Sequence, residues 1–293
     1  MNSTNNLISL SLVILSATLI AFGSFARKNI VVLDGIYISM LICFVGASFL
    51  MWWIVSISSF TNIIPTTWRP IFIRMVLSLF AQVLFFVSLS KGSFLITVLL
   101  FNTSPLFVPV IRFIFFKQNV SYFNFICIIV SFLGIYLILG VNGSNVSLYS
   151  LCALFSGILN AMSQVVLHKA SQKEDAFIMT LWIYTFTALV LLMLLPLNIL
   201  IYSGAGDLAT ISIKPIVIWV CVAITLNVSV QVYRVKAYKY TKDPSLVAPG
   251  MYFSVIVAAI LDIVFYGASI NLLEVCGILM VCLCSILSVI KKS

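Results

Sequence analysis

Charge is what this sequence has least of. Only 8% of its 293 residues are Asp, Glu, Lys or Arg, while 63% are hydrophobic. A soluble domain carries about 25% charged residues, so a water-soluble enzyme or binding module is excluded. The chain has one histidine, His168, no HExxH pattern and no pair of carboxylates inside an apolar segment. Without them the usual metal, nucleophilic and acid–base sites cannot be built. The chain is therefore read as a non-enzyme with no catalytic residue, metal or cofactor. The seven cysteines, Cys43, Cys127, Cys152, Cys221, Cys276, Cys282 and Cys284, are odd in number, form no CxxC pair and lie in apolar stretches. They are read as small hydrophobes, not as a disulfide framework or metal site.

What the sequence has instead is long apolar runs, with a mean hydropathy of +1.23. The runs are continuous over about 20 residues, the length of a membrane-spanning helix, and do not alternate as the strands of a membrane barrel would. Charges, Pro, Gly and Asn divide them into ten predicted helices: 7–26, 35–55, 70–90, 93–113, 122–140, 148–168, 176–197, 215–235, 245–266 and 271–290. The first is kept as a span, not a cleaved signal, because residues 1–6 carry no basic side chain and Arg27 and Lys28 follow a long run. A linker at 141–147 separates residues 1–141 from 148–293, five helices each. Gln82 falls on Gln231 at a shift of 149, and Thr103-Ser104 on Phe253-Ser254 at a shift of 150. A duplicated unit with an odd number of spans must re-enter the membrane from the opposite side. The expected fold is all-α: a polytopic membrane protein of ten transmembrane helices in two inverted five-helix repeats.

The net charge of +9, from 16 basic and 7 acidic residues, would suggest nucleic acid in a soluble chain. Here it marks loops on the negative, cytoplasmic face of a bilayer, and no nucleic-acid partner is expected. With ten spans, twelve basic residues fall on the side that bears both termini and four (Arg27, Lys28, Lys91, Lys214) on the other. The expectation is a multi-pass protein of the bacterial inner membrane, monomer or homodimer, with both termini cytoplasmic.

Polar side chains inside the runs cannot face hydrocarbon unpartnered, so they locate the inner face of each helix. They form stripes at helical spacing: Arg74, Ser78 and Gln82; Ser156, Asn160 and Gln164; Asn227, Gln231 and Arg234. Gln82, Asn160, Gln164, Asn227 and Gln231, near mid-span, are the candidates for hydrogen bonds to a substrate. The bland alternative is interhelical bonding worth about 0.6 kcal/mol per bond. Asn102 and Tyr252 join them from the fourth and ninth runs, where Pro105 and Pro249 release backbone carbonyls. Arg74 and Arg234 are expected to snorkel to the cytoplasmic interface, and Trp52, Trp53, Trp68 and Trp219 to anchor at interfaces. Asp262 is the one candidate for ion coupling, and His168 reads as an end-of-helix residue. Neutral amides point to a small neutral or zwitterionic substrate such as an amino acid. The alternative is a lipid-carrier flippase or accessory subunit, with Arg74, Arg112 and Arg234 as a basic rim.

Ser88-Leu89, Asn102-Thr103-Ser104-Pro105, the polar end at 117–121 and Gly134 resemble the repeat unit of the drug/metabolite transporter superfamily, EamA type. Ala237-Tyr238, Ala248-Pro249 and Gly277 are similar to the same unit in the second half. The pattern departs at Gln118 and Ala268, where the family often has an acidic residue, and at Val255, where the second half lacks the proline. The resemblance implies a ten-helix carrier whose central cavity moves small metabolites by alternating access.

Overall fold

A computed structural model describes the backbone of residues 3–58, 63–116, 122–140, 147–202, 213–240, 248–251, 253–267 and 271–290. Among these residues every regular element is a helix. They are α1 (Ser3–Asp34), α2 (Ile36–Ile57), α3 (Trp68–Lys91), α4 (Phe94–Phe101), α5 (Ser104–Phe116) and α6 (Tyr122–Gly140). The second half holds α7 (Leu148–Ser171), α8 (Ala176–Tyr202), α9 (Ile213–Tyr240), α10 (Ala248–Met251), α11 (Phe253–Tyr266) and α12 (Leu272–Ile290). Six stretches are long and apolar enough to cross a membrane: Ile8–Val32, Ile36–Ile57, Trp68–Lys91, Leu148–Ser171, Ala176–Pro196 and Val217–Tyr240.

Two departures from the expected helices matter for function. First, α1 does not stop before Arg27 and Lys28 but runs on to Asp34, so both cations sit on a helix and not in a loop. Second, the run at 93–113 is broken into α4 and α5 at Asn102-Thr103. The cause is local. The Asn102 side chain donates to the Val98 carbonyl at 2.7 Å and Thr103 Oγ1 to the Leu100 carbonyl at 2.6 Å. These side chains occupy carbonyls of the last turn of α4, and Pro105, in the first turn of α5, has no amide to continue the ladder.

Helices that are distant in sequence pack along one another. α1 lies along α9, α3 along α7, α6 along α12 and α2 along α8. The main core gathers Phe85, Phe86, Leu89, Phe94, Leu99 and Leu100 with Tyr184 and Val228. The outward surface is apolar as well: Phe49, Met193 and Leu272 are each more than 75% exposed, as a surface facing lipid requires. Trp52, Trp68, Trp182 and Phe186 form an aromatic cluster, edge-to-face except for the tilted Trp182–Phe186 pair, and Trp182 Nε1 donates to the Ile63 carbonyl at 2.8 Å. Trp219 instead packs against Phe25 at 5.5 Å between ring centroids.

Small residues set the closest approaches. A Cβ on Gly157 would stand 2.6 Å from the Leu100 carbonyl oxygen and 3.3 Å from Thr103 Oγ1, so α7 touches the α4–α5 break backbone to backbone. One residue earlier, Ser156 Oγ donates to the Ala81 carbonyl at 2.6 Å and ties α7 to α3. Outside the spans, Glu174 Oε1 accepts hydrogen bonds from the Thr66 hydroxyl, the Thr67 amide at 2.8 Å and the Thr67 hydroxyl at 3.0 Å. Burial alone would raise the Glu174 pKa, but these bonds outweigh it and hold the carboxyl below its ordinary value.

Two predictions follow from this packing. Gly157→Leu overpacks the α7 contact at a cost of about 1–3 kcal/mol and lowers the thermal midpoint in detergent; an unchanged midpoint contradicts the contact. Glu174→Gln lowers the midpoint at pH 7. Because the folded pKa is depressed, the wild-type advantage is fully present above the unfolded value of about 4.3 and fades as pH falls through the folded value. A difference that is independent of pH contradicts it.

Candidate functional site

The three predicted stripes converge. Along α3, Arg74 and Gln82 are eight residues apart, about 12 Å at 1.5 Å per residue, with Ser78 between them. At the Gln82 level α1 contributes Arg27, whose Nη1 donates to Gln82 Oε1 at 3.2 Å and whose Nε donates to the Gly23 carbonyl at 3.1 Å. The same guanidinium lies 5.4 Å from the Phe85 ring centroid and 6.0 Å from that of Phe86. At the Arg74 level α9 contributes Gln231, whose Oε1 accepts from Arg74 Nη2 at 3.0 Å. The two glutamines that align at a shift of 149 are thus each held through the amide oxygen by an arginine of another helix. Their amide nitrogens are oriented away from those bonds.

On α7, Asn160 Nδ2 and Gln164 Nε2 both donate to Ser104 Oγ at 3.3 Å. Gln164 Oε1 accepts from the Tyr238 hydroxyl, which links α7 to α5 and α9. Tyr184 of α8 donates from its hydroxyl to the Asn227 carbonyl at 3.0 Å. That hydroxyl is within electrostatic reach of Arg27, Arg74 and Arg234, so Tyr184 stands where the stripes meet.

The other candidates fall elsewhere. Asn102 is buried with its amide nitrogen bonded to its own helix, at the α4–α5 break. Tyr252 lies outside the described residues. Asp262 of α11 accepts from the Leu95 amide at 3.3 Å and interacts with Lys28 and Glu274. Lys28 in turn sits 4.4 Å from the Tyr266 ring centroid and donates to the Gly92 carbonyl at 3.4 Å. Asp262 therefore belongs to a cluster around the first turn of α4, apart from the glutamines. The ring of His168 stands edge-on to Tyr238, with centroids 6.2 Å apart.

The arginines are where the sequence reading and the structure part. Arg74 and Arg234, expected at the interface, are only 3% and 6% exposed, and Arg27, expected in a loop, is 6% exposed. All three lie on the inner faces of helices, because α3 and α9 extend past them in both directions and α1 runs beyond Arg27. Arg74 Nε and Nη1 and Arg234 Nε are buried without a hydrogen-bond partner. The signal that would have found Arg27 is in the sequence: Ile30, Val31, Val32 and Leu33 continue the apolar run after it. Among the described residues no group of three His, Cys, Asp or Glu could hold a metal ion.

Chemically, the cluster offers buried guanidinium groups and tyrosines with amides that are mostly half-buried, on helices from both halves of the chain. Its groups suit hydrogen bonding to a bound molecule. A solved chain described as "Crystal structure of protein" superimposes with a TM-score of 0.64, over 99% of this chain and 98% of that one, at 11% identity. At that identity the likeness concerns the fold alone. No curated protein sequence matches. The model of the EamA-like transporter family matches residues 6–140. That segment, a little under half of the chain, is similar to the EamA-like transporter family of the drug/metabolite transporter superfamily.

Proposed function

We propose that this multi-pass membrane protein is a secondary carrier for a small metabolite, built of ten spans in two inverted five-helix repeats that alternate access to a chamber between them. The observation that carries this reading is an exchange symmetry in the packing. Let the first five predicted helices trade places with the last five, α4–α5 and α10–α11 each counting as one. The α1 contact with α9 then becomes the α7 contact with α3, and α2 against α9 becomes α8 against α3. The α4–α5 contact with α7 becomes the α10–α11 contact with α1, while α2 with α8 and α6 with α12 map onto themselves. Two copies of one unit related by a twofold axis would pack this way, and a twofold in the membrane plane is the usual basis of alternating access. Gln82 and Gln231 exchange under the same operation and lie at the convergence of the stripes.

The chain's home in this reading is the bacterial inner membrane, with both termini cytoplasmic, as the distribution of its basic loops supports. The flippase alternative relied on a basic rim, and the burial of Arg74 and Arg234 favours the carrier.

Reporter fusions at the two ends should both read as cytoplasmic; opposite sides would remove the even span count. In proteoliposomes presented with a panel of amino acids, sugars and organic acids, saturable uptake of at least one member is expected. Gln82→Ala and Gln231→Ala should each lower kcat/KM for that solute about tenfold, the worth of a hydrogen bond involving a buried polar group. If a solute carried by the wild type is carried equally by both variants, the glutamines are not the site.

A further inference from the structure

The amides alone suggested a neutral solute, but among the described residues the charge at the site is positive and unbalanced. Arg234 is close enough to both Arg27 and Arg74 for mutual repulsion, and all three are buried. An unpaired charge in a low-dielectric interior is costly unless it meets an opposite charge or is fully hydrogen-bonded. Arg27 is close to satisfied, by Gly23, Gln82, Ser24 and two aromatic faces. Arg74 and Arg234 are not: three of their nitrogens are buried and unbonded.

Among the described side chains no carboxylate is placed to neutralise them. Of its seven acidic residues, Asp34 ends α1, Glu174 is held by Thr66 and Thr67, and Asp175 caps the start of α8 by accepting from the Phe177 amide. Asp207 and Asp243 lie outside the described residues. Asp262 and Glu274 are grouped at the Lys28 end, where Glu274 accepts from the Asn271 amide at 3.2 Å. A guanidinium presents its donors as a planar fork that matches a carboxylate or phosphate group.

We propose that the solute bound between the two halves is a net anion, whose carboxylate or phosphate group is held by Arg74 and Arg234. This rests on the carrier reading of the same site and narrows it. Gln231 orients Arg74 through the bond to its Nη2, and the hydroxyls of Tyr184 and Tyr238 lie within electrostatic reach of both arginines. A zwitterion such as a neutral amino acid is disfavoured, because its ammonium group would meet guanidiniums with no acidic side chain among the described residues of the site.

The test is thermal unfolding of the purified full chain in maltoside micelles, with succinate, inorganic phosphate and glycerol 3-phosphate as anionic probes. Alanine and galactose serve as zwitterionic and neutral probes, and potassium chloride matches ionic strength throughout. At least one anionic probe should raise the midpoint saturably, whereas alanine and galactose should not. The apparent affinity should fall about tenfold or more in Arg74→Gln and in Arg234→Gln, as expected when a charged hydrogen bond is lost. Should Arg74→Gln fail to fold, Arg234→Gln alone carries the comparison; without probe it should unfold no lower than wild type, since it removes a buried positive charge. Nanodiscs of phosphatidylglycerol against phosphatidylcholine separate the sources: an arginine-dependent stabilisation seen only with phosphatidylglycerol keeps the anion and makes it a lipid headgroup. Anionic probes that do no more than potassium chloride, or that act equally on both variants, overturn the proposal. Uptake assays keep the two readings apart. Arginine-dependent anion binding with no transport of any solute sinks the carrier and keeps the anion, and transport of a neutral solute unaffected by both substitutions does the reverse.

Discussion

A polar group turned toward hydrocarbon, with neither water nor a partner, costs several kcal/mol, and this chain carries many such groups inside segments that are otherwise apolar. Every consequential feature of the structure answers that constraint. The outer faces of the helices are largely apolar and exposed, the stripe amides and buried guanidiniums bond across helices, and hydroxyls such as those of Thr18, Ser56 and Thr225 bond carbonyls of their own helix. Arg27 with Gln82 and Arg74 with Gln231 are the clearest cases: the first ties α1 to the α3 stripe and the second joins the α3 and α9 stripes. The hydrophobic effect does not hold such helices together in a bilayer, so close backbone approach and interhelical bonds do. Gly157 and Ser156 on α7 supply both within one turn.

The break at Asn102-Thr103 connects this packing to function. By closing α4 with their own side chains, these residues turn the chain so that Ser104 begins α5 against α7. Ser104 then accepts from both Asn160 and Gln164. The Val98 carbonyl still accepts the Asn102 amide as in a continuous helix, but Leu100 accepts from the Thr103 amide, one residue short of the helical step, and Pro105 offers no amide to resume it. The polar centre is therefore assembled by an interruption in a helix, which bilayers tolerate only where the freed groups are buried in protein or face a watery cavity.

Most of the helical architecture was legible in the sequence, since apolar run length in a bilayer is nearly a one-variable problem. The stripes were legible too: i, i+4 spacing gave Gln82, Gln231, Asn160 and Gln164, and the structure brings these to the inner faces and bonds them between helices. What the sequence obscured was charge. Arg27 and Lys28 read as a loop because two adjacent cations usually end a span, and only the apolar residues after them reveal that α1 continues. Arg74 and Arg234 read as snorkelling because their depth depends on where α3 and α9 begin and end, the least certain part of a sequence reading. Asn102 looked available to a ligand, but a short amide at a helix end can reach its own carbonyls, and this one does.

The central claim is that these stripes face a common watery chamber, not separate dry seams. It is tested most directly with single cysteines at Ser78 and Asn227, in a background where the native cysteines are replaced, reacted in intact membranes with a charged thiol reagent that cannot cross lipid. Both positions should be modified, at rates that respond to which side of the membrane the reagent is on. Two positions that stay unreactive from both sides, while a control cysteine in a loop reacts, would contradict the account.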